Sequence, residues 1–495
     1  MGRMVGRRFR PRFEPATASE EVADDSLQPA GFGSIFAVLF ATAILSHVAN
    51  QGATGRLLGT PAISDPWYWL VLVAAAAVLL RPRSGALLGF AALACVMAVA
   101  GQAPNLANHW LLAGLLAATI VVSVVRTRSG LRPASSDTIV SDAAPALRTV
   151  FLIAYSAAAI AKLNTTFLDP AHSCAVSLAT TVAGFWGLPA PEAPGTLRLL
   201  IAMTVIAELA VPVLLLVPRT RAFGIVFTMG LHLVMSNSGD VYVLDFHAFV
   251  TACLALFAAA SFTDQWAQLR RAMDRQAPHA LKVLRSRLTQ VGIPVVLVAY
   301  LGFRGDLVGQ DGFPGLTWFL LLLWWGSVFV ATTVALWRSR SKDAQRPKVP
   351  SARSLGHGLI IALLALNVAS PYIGLKTMNS FTMFSNLRTE LGESNHLFLP
   401  RLEVFDVQDD FVAIIEADDS YLAAFADSGQ LIHMSTVRNR LAADPDQGIH
   451  LVRGEQVIEV DQASDMPDLV TPNWAERHLM HYRPLHVSGV QPCRA

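Results

Sequence analysis

The sequence predicts an all-α polytopic membrane protein, a bundle of about eleven transmembrane helices followed by a small C-terminal extracytoplasmic β-rich domain. Of its 495 residues, 53% are hydrophobic and 15% are charged, and the mean hydropathy is +0.45. Globular chains average about 25% charged residues, so a soluble chain of ordinary domains is excluded. The apolar residues lie in long uncharged blocks separated by short arginine-rich connectors, which is typical of membrane-spanning helices.

The apolar blocks place the predicted spans in order along the chain. They lie at about 31–49, 66–80, 84–101, 108–125, 146–163, 197–217, 222–238, 242–262, 291–307, 315–337 and 354–372. The mildly apolar stretch 172–186 is a candidate re-entrant segment. Every second connector is rich in arginine, and the positive-inside rule assigns such connectors to the cytoplasm. We therefore expect a multi-pass protein of the bacterial plasma membrane, with a cytoplasmic N-terminus and an extracytoplasmic C-terminal domain.

Composition divides the chain into five regions. Residues 1–30 are a disordered basic cytoplasmic leader, 31–265 are the first membrane domain, and 266–290 are a basic cytoplasmic linker. Additional spans fill 291–372, and 373–495 are polar, with period-two alternation at 402–407 and 457–460 that predicts short strands. Cys174 and Cys493 both fall on the predicted outer side, where a disulfide can form, but sequence separation leaves that pairing open.

Charge and motif content exclude several functional classes. A formal net charge of +2 with scattered basic residues gives no nucleic-acid footprint. The sequence has no Gly-Lys-Ser/Thr phosphate loop, no dinucleotide-binding glycine motif and no HExxH motif, which argues against a nucleotide-driven pump. It also has neither a CxxC motif nor a local Cys/His cluster, so no metal site is predicted. The expected partner is the lipid bilayer.

Ionisable residues inside the predicted spans are rare, and each costs about 2.5–3.5 kcal/mol on insertion scales, so each is a functional candidate. Lys162 ends the fifth span, whereas the other four lysines lie in connectors or in the polar C-terminal region. Arginine keeps its proton in proteins, but a desolvated lysine can act as a base, so Lys162 is the leading catalytic candidate. His109 and His232 are its candidate catalytic partners. The alternatives are a Lys162 side chain that snorkels to the interface and two packing histidines.

The other polar residues at or near membrane depth are candidate substrate-binding residues. They are Asn108, Asn164, Glu208, Asp245, His247, Arg388 and Glu390. The predicted orientation and a rise of about 1.5 Å per residue bring most of the titratable groups to the outer half of the membrane, with Glu208 alone nearer the midplane. The alternatives are an inter-helix hydrogen bond for Glu208, and for Arg388 and Glu390 a salt-bridged connector between the membrane part and the C-terminal domain.

Several short motifs resemble the vitamin K-dependent γ-carboxylase and its bacterial relatives, which share the horizontally transferred transmembrane (HTTM) domain. The first two are Tyr155 to Asn164, which contains Lys162-Leu163-Asn164, and Asn108-His109-Trp110-Leu111. The third is a series from Glu208-Leu209 through Arg221 and Gly224 to His232 and Ser236. The order and spacing of these motifs extend the resemblance over roughly residues 30 to 265.

The resemblance implies that Lys162 is the base that deprotonates a reduced vitamin K or menaquinone and that His109 assists nearby. In the family, oxygenation of the hydroquinone then drives carboxylation of glutamates on a peptide or protein substrate. This chain departs from that pattern, because further spans follow the motifs and the C-terminal domain is small. Asn164 and Phe167 also stand where the family has Asp and Trp. These departures argue against protein-glutamate carboxylation and leave quinol oxidation or peptide maturation.

Two other functional classes remain open on the sequence alone. A transporter or channel requires only a polytopic bundle with an intramembrane carboxylate such as Glu208. A non-catalytic membrane partner in peptide maturation or export requires only a C-terminal domain that binds another protein.

Overall fold

The computed structural model describes residues 31–54, 66–104, 106–130, 133–238, 241–259, 263, 268, 315–338, 353–402, 404–486 and 493. Over these residues the chain is mostly helical and ends in a small antiparallel sheet. The predicted leader at 1–30, nearly all of the predicted linker at 266–290 and the predicted span at 291–307 lie outside the described residues.

Twelve helices precede the sheet in the described part of the chain, numbered here in chain order. They are α1 (Phe32–Thr54), α2 (Pro66–Leu80), α3 (Gly85–Gln102), α4 (Asn108–Thr127), α5 (Ser136–Ala161), α6 (Thr165–Leu168), α7 (Cys174–Phe185), α8 (Pro194–Leu216), α9 (Arg221–Met235), α10 (Val241–Ala255), α11 (Gly315–Arg338) and α12 (Leu355–Ala369). Helices α1–α5 and α8–α12 lie where spans are predicted, and α7 covers the candidate re-entrant segment.

Five of the described helices are long and apolar enough to cross a membrane. They are α3, α4, α5, α8 and the Phe319–Arg338 part of α11. Helices α2, α9, α10 and α12 each have 15 residues. At a rise of about 1.5 Å per residue they reach roughly 22 Å, less than the hydrocarbon core of about 30 Å. The helices thus indicate a membrane protein, and the predicted number of about eleven spans is not confirmed.

Helix α8 shows how the outer surface of the bundle suits lipid. Leu199, Met203, Ile206 and Val213 on this helix are each about 60% exposed or more, at 60%, 60%, 67% and 59%. A contiguous apolar surface of this kind is an aggregation liability in water, whereas lipid tails cover it without cost.

The centre of the bundle is a close-packed core of aromatic and small side chains. Phe36, Phe40, Trp110, Phe151 and Phe249 are almost fully buried in it. Many alanines in the same core let the backbones approach closely, as is common between membrane helices. Such tight packing fixes the relative positions of α1, α4, α5 and α10, which carry the polar residues described below.

Helix α5 begins ten residues before its predicted start at 146. Ser135 caps its N-terminus by accepting a hydrogen bond from the Thr138 backbone N–H, and Asp137 lies in the first turn. Asp142 accepts a hydrogen bond from Ser123 Oγ of α4 at 2.9 Å. The polar residues that suggested a connector are therefore helix-capping and inter-helix contacts.

A five-stranded antiparallel sheet forms the core of the tail domain, residues 411–486. Its strands are β1 (Phe411–Ala417), β2 (Gln430–His433), β3 (Ile449–Arg453), β4 (Gln456–Val460) and β5 (Leu485–His486), in the order β4-β3-β1-β2-β5. Helix α13 (Ser420–Ala423) follows β1, and α14 (Met434–Ala443) begins directly after β2. Val412, Ile414, Ile432, Leu441 and Leu451 are buried together in its core.

One of the two predicted strand segments is confirmed and the other is wrong. Residues 457–460 lie in β4. The described residues 402 and 404–407 form no strand, because their backbone pairs with the chain that follows α12: Leu402 N–H donates to Tyr372 O, and Phe405 N–H donates to Ile373 O. Leu402, Phe405 and their apolar neighbour Val404 are exposed, so the alternation did not mark a buried face.

Cys174 and Cys493 form a disulfide across a sequence separation of 319 residues, with a Cα–Cα distance of 5.0 Å. Cys174 starts α7, so the bond ties the C-terminal end of the chain to the helical part. Cys95 and Cys253 are free and buried.

We expect alkylation of the denatured, unreduced protein to label two cysteines, Cys95 and Cys253, and alkylation after reduction to label four. Intact-protein mass spectrometry counts the adducts. In a Cys174→Ser variant the unreduced count rises to three, because Cys493 loses its partner. Four adducts on the unreduced wild type would contradict the disulfide.

The buried His433, at the start of α14, should make the stability of the tail domain sensitive to acid. Its Nε2–H donates to Val407 O, its Nδ1 accepts from the Ser435 backbone N–H, and burial lowers its pKa to about 4. Because the unfolded chain takes up this proton near pH 6.5, stability falls as the pH drops from about 6.5 to about 4. The loss is at most about 3 kcal/mol.

A His433→Gln variant should lose less of its melting temperature between pH 6.5 and pH 4 than the wild type, as followed by thermal unfolding in detergent. His450→Gln, on half-buried β3, is the matched control and should keep the wild-type profile. A His433→Gln profile that overlays the wild type would contradict the assignment.

Candidate functional site

A cavity of about 1720 Å³ lies between the helical bundle and the tail domain. Its polar lining from the helices includes His47, Asn108, His109, Tyr155, Lys162, Glu208 and His232. Pockets for drug-sized ligands span about 300–1,000 Å³, so this cavity has room for a large substrate. The three predicted catalytic residues, Lys162, His109 and His232, all face it.

Lys162 and Glu208 form a buried ion pair at the cavity wall. Lys162 Nζ lies 2.7 Å from Glu208 Oε2, and the two residues are 5% and 8% exposed. Nζ also donates to the Ala158 carbonyl at 3.2 Å. Lys162 is the C-cap of α5, where the helix dipole favours a positive charge. Removing one partner of a buried pair costs about 3–5 kcal/mol, so each side chain holds the other in place.

The position of Glu208 differs from the predicted one. The sequence placed this carboxylate nearer the midplane than the other groups, whereas the structure brings it level with Lys162, within hydrogen-bonding distance. Pro212 lies inside α8 four residues later and removes the backbone hydrogen bond to the Glu208 carbonyl. The carboxylate is thus an ion-pair partner rather than only an inter-helix hydrogen-bonding group.

Tyr155 and His232 form a second polar contact on the same wall. Tyr155 Oη lies 3.1 Å from His232 Nε2, so α5 and α9 are joined by a hydrogen bond. Tyr155 precedes Lys162 by seven residues, two helical turns, which places both on one face of α5. His232 Nδ1 is buried and has no hydrogen-bond partner among the described residues. Lys162, Glu208, Tyr155 and His232 therefore form a compact titratable set beside the cavity.

A third cluster joins three helices. His47 Nδ1 of α1 lies 3.0 Å from Asp245 Oδ2 of α10 and 3.2 Å from His109 Nε2 of α4. His109 Nε2 lies 3.5 Å from the same carboxylate oxygen. The sequence predicted roles for His109 and Asp245 but missed His47. Its signal was present, because His47 is an ionisable residue inside the first predicted span.

The collar, residues 377–396, covers the cavity on the side of the tail domain and has a strained backbone. Asn379, Phe381, Phe384, Asn386 and Leu391 all have φ between 50° and 61°. Left-handed backbone at non-glycine residues costs of order 1–3 kcal/mol each and persists only where surrounding contacts enforce it. Such strain concentrates at functional sites.

Asparagine side chains supply the contacts that hold the collar. Asn379 Nδ2 donates to Pro104 O at 2.7 Å, and Asn108 Oδ1 accepts from Phe381 N–H at 2.8 Å. Asn386 Oδ1 accepts from Cys174 N–H at 2.9 Å. Asn108 thus lines the cavity and also fixes the collar to the start of α4.

Asn164 also fixes the collar and does not line the cavity. Its Nδ2 donates to Ala161 O at 2.8 Å and to Ser385 O at 2.5 Å, and its Oδ1 accepts from Phe167 N–H at 2.8 Å. The side chain closes the end of α5 and the start of α6 against the collar. The structure therefore gives it structural contacts where the sequence predicted substrate binding.

Four other predicted substrate-binding residues lie outside the cavity lining, and one of them is Asp245 of the third cluster. Arg388 pairs with Glu393 at 3.2 Å, and fully buried Glu390 lies 3.7 Å from Arg483 of the tail domain. The Glu390–Arg483 contact joins the collar to the tail domain, as expected for a salt-bridged connector, whereas the Arg388–Glu393 pair lies within the collar. His247 is buried with its ring edge against Trp325, 6.0 Å between centroids.

The tail domain contributes the polar end of the cavity, which the sequence did not predict. Asp419, Tyr421, Arg440, Arg477 and His481 line it. Burial opposes ionisation of Asp419, but hydrogen bonds from Arg440 outweigh it and hold the pKa of the carboxyl below its usual value. Burial lowers the pKa of His481 to about 4, so this end holds a neutral imidazole at neutral pH.

Comparison of the chain with models of protein families, with curated proteins and with solved structures gave no match.

Proposed function

We propose that the protein is an integral membrane enzyme that uses Lys162, paired with Glu208, as a base on a quinol or similar lipid-soluble substrate. The single observation that carries the proposal is the buried Lys162–Glu208 pair on the wall of a cavity that also holds His109 and His232. A titratable pair away from water at a cavity wall is the setting in which general acid–base catalysis is effective.

The pair can take one proton from a quinol hydroxyl. The pair holds one shared proton, and in the form with that proton on Glu208, Lys162 is a neutral amine that accepts the quinol proton and becomes an ammonium. The quinol proton then lies on Lys162 Nζ beside the neutral Glu208, and the quinolate oxygen faces that ammonium. A desolvated site strengthens that attraction, because little water screens the two charges. His232 and Tyr155 lie on the same wall, where they can hydrogen-bond the second oxygen of the ring.

The cavity lining suits a substrate that is apolar at one end and polar at the other. Leu178, Ala179 and Val182 of α7, with Leu200 of α8, form an apolar wall. The opposite end is the polar surface of the tail domain with Asp419 and Arg440. A quinol with an isoprenoid chain fits this division, with the chain along the apolar wall of α7 and α8 and the ring beside Lys162.

The family resemblance supports the same chemistry. The cavity is lined by three of the residues that carry the resemblance to vitamin K-dependent γ-carboxylase and the HTTM domain. These are Lys162, Asn108 and His109. We assign reduced vitamin K or menaquinol as the substrate or cofactor class and O₂ as the oxidant that follows deprotonation. The proposal does not include carboxylation of protein glutamates, because Asn164 is committed to backbone hydrogen bonds where the family has Asp.

The test compares quinol oxidation, as O₂ uptake and quinone absorbance, in detergent-purified wild type, Lys162→Ala and Lys162→Arg. Both variants should lose at least about a hundredfold in rate, because neither alanine nor an always-protonated arginine can cycle a proton. Lys376→Arg is the matched control, since Lys376 is the other lysine of the described chain and does not line the cavity. Equal turnover in all four proteins would overturn the proposal.

The alternatives from the sequence give distinct results. A transporter predicts substrate flux into proteoliposomes that Glu208→Gln abolishes, with no quinol turnover in the wild type. A non-catalytic partner predicts cross-links through the tail domain and normal cellular function in Lys162→Ala.

A further inference from the structure

Three metal-ligating side chains from three distant parts of the chain meet in the bundle core. His47, His109 and Asp245 are 2%, 3% and 1% exposed. Each offers one ligand atom, and the three atoms lie within 4.8 Å of one another. Their pairwise separations are 3.0, 3.2 and 3.5 Å.

His47 and His109 both lie close to the same carboxylate oxygen of Asp245, and their ring nitrogens also lie close to each other. His47 Nδ1 faces both Asp245 Oδ2 and His109 Nε2. A ring nitrogen carries either one proton or one lone pair in the ring plane, so it forms a linear hydrogen bond to one of the two partners. A metal ion placed between the three atoms binds all of them at once.

The separations match ligand atoms on one face of a tetrahedral metal site. With metal–nitrogen and metal–oxygen bonds of about 2.1 Å, neighbouring ligand atoms lie about 3.4 Å apart. The three observed distances bracket that value. The surroundings hold the ligands in place, since the His47 ring stacks on Trp110 with 4.1 Å between centroids and the His109 ring packs edge-on against His47.

The negative charge of the buried Asp245 also favours a bound metal ion. A carboxylate in an apolar core needs compensating positive charge or several hydrogen bonds. Asp245 is 1% exposed, and His47, which faces its carboxylate, stacks on Trp110 of the apolar core. A divalent cation bound by two neutral imidazoles and one carboxylate supplies that charge at the point where the three ligand atoms meet.

We propose that His47 Nδ1, His109 Nε2 and a carboxylate oxygen of Asp245 bind a divalent first-row transition-metal ion. His47 and His109 also line the cavity, so the bound ion would lie beside the space where a substrate binds. Two histidines and one carboxylate with open positions are the donor set of catalytic zinc and non-haem iron sites. The site stands apart from the proposed base chemistry, because binding the ion requires neither Lys162 nor a quinol.

Metal binding to the full-length protein in detergent tests the proposal. The chain is stripped with a chelator and titrated with Co²⁺, whose visible absorption reports the coordination geometry, and Zn²⁺ is then added as a competitor. We expect each chain to bind one Co²⁺ ion with the visible absorption typical of a four-coordinate site, and we expect Zn²⁺ to displace that ion. His109→Gln and Asp245→Asn should weaken binding at least about a hundredfold, since loss of even an outer-shell partner costs 10–100-fold.

His450→Gln and Asp427→Asn in the tail domain are the matched controls, and both should bind Co²⁺ as the wild type does. Thermal unfolding of the wild type with and without Zn²⁺ gives a readout that needs no variant, and Zn²⁺ should raise the melting temperature. A stripped wild type that takes up no stoichiometric Co²⁺ overturns the proposal. So does unchanged binding in folded His109→Gln and Asp245→Asn.

Discussion

The buried ion pair between Lys162 and Glu208 is the interaction on which the arrangement of the cavity depends. Each charge is costly in an apolar bundle, and each is tolerated because the other lies 2.7 Å away. The pair joins the end of α5 to the middle of α8, so it fixes two walls of the cavity at once. The proposed base and a structural tie between helices are thus the same two side chains.

The collar and the tail domain close the cavity that the helices line on its other sides. Five left-handed non-glycine residues in the collar carry a conformational cost that asparagine hydrogen bonds to Pro104, Phe381 and Cys174 offset. The Cys174–Cys493 disulfide adds a covalent link between the start of α7 and the C-terminal end. These contacts hold a polar surface, with Asp419 and Arg440, over a cavity whose α7 wall is apolar. The site therefore combines a lipid-compatible wall with a polar end.

The sequence predicted the helices well because long apolar blocks leave little alternative to a membrane helix, as at 66–80 and 108–125. It singled out Lys162 because lysine is rare in this chain. It did not predict the partner of Lys162, since depth along separate helices does not determine which side chains face each other. His47 lies inside the first predicted span and was overlooked there, since only the structure shows its contacts with His109 and Asp245. The strand expected at 402–407 is wrong for the described residues, because the backbone of Leu402 and Phe405 bonds to residues 372 and 373 instead. The polar end formed by the tail domain depends on contacts between regions hundreds of residues apart.

The most direct measurement is a cryo-EM structure of the wild type with a non-oxidisable menaquinol analogue bound. A catalytic role for the buried pair requires one oxygen of the bound ring to lie within about 3.2 Å of Lys162 Nζ, the reach of a catalytic hydrogen bond. We expect density for the ring at that position and density for the isoprenoid chain of the analogue along the α7–α8 wall. A ring bound elsewhere, or a cavity that excludes the analogue at saturating concentration, would contradict that role for Lys162.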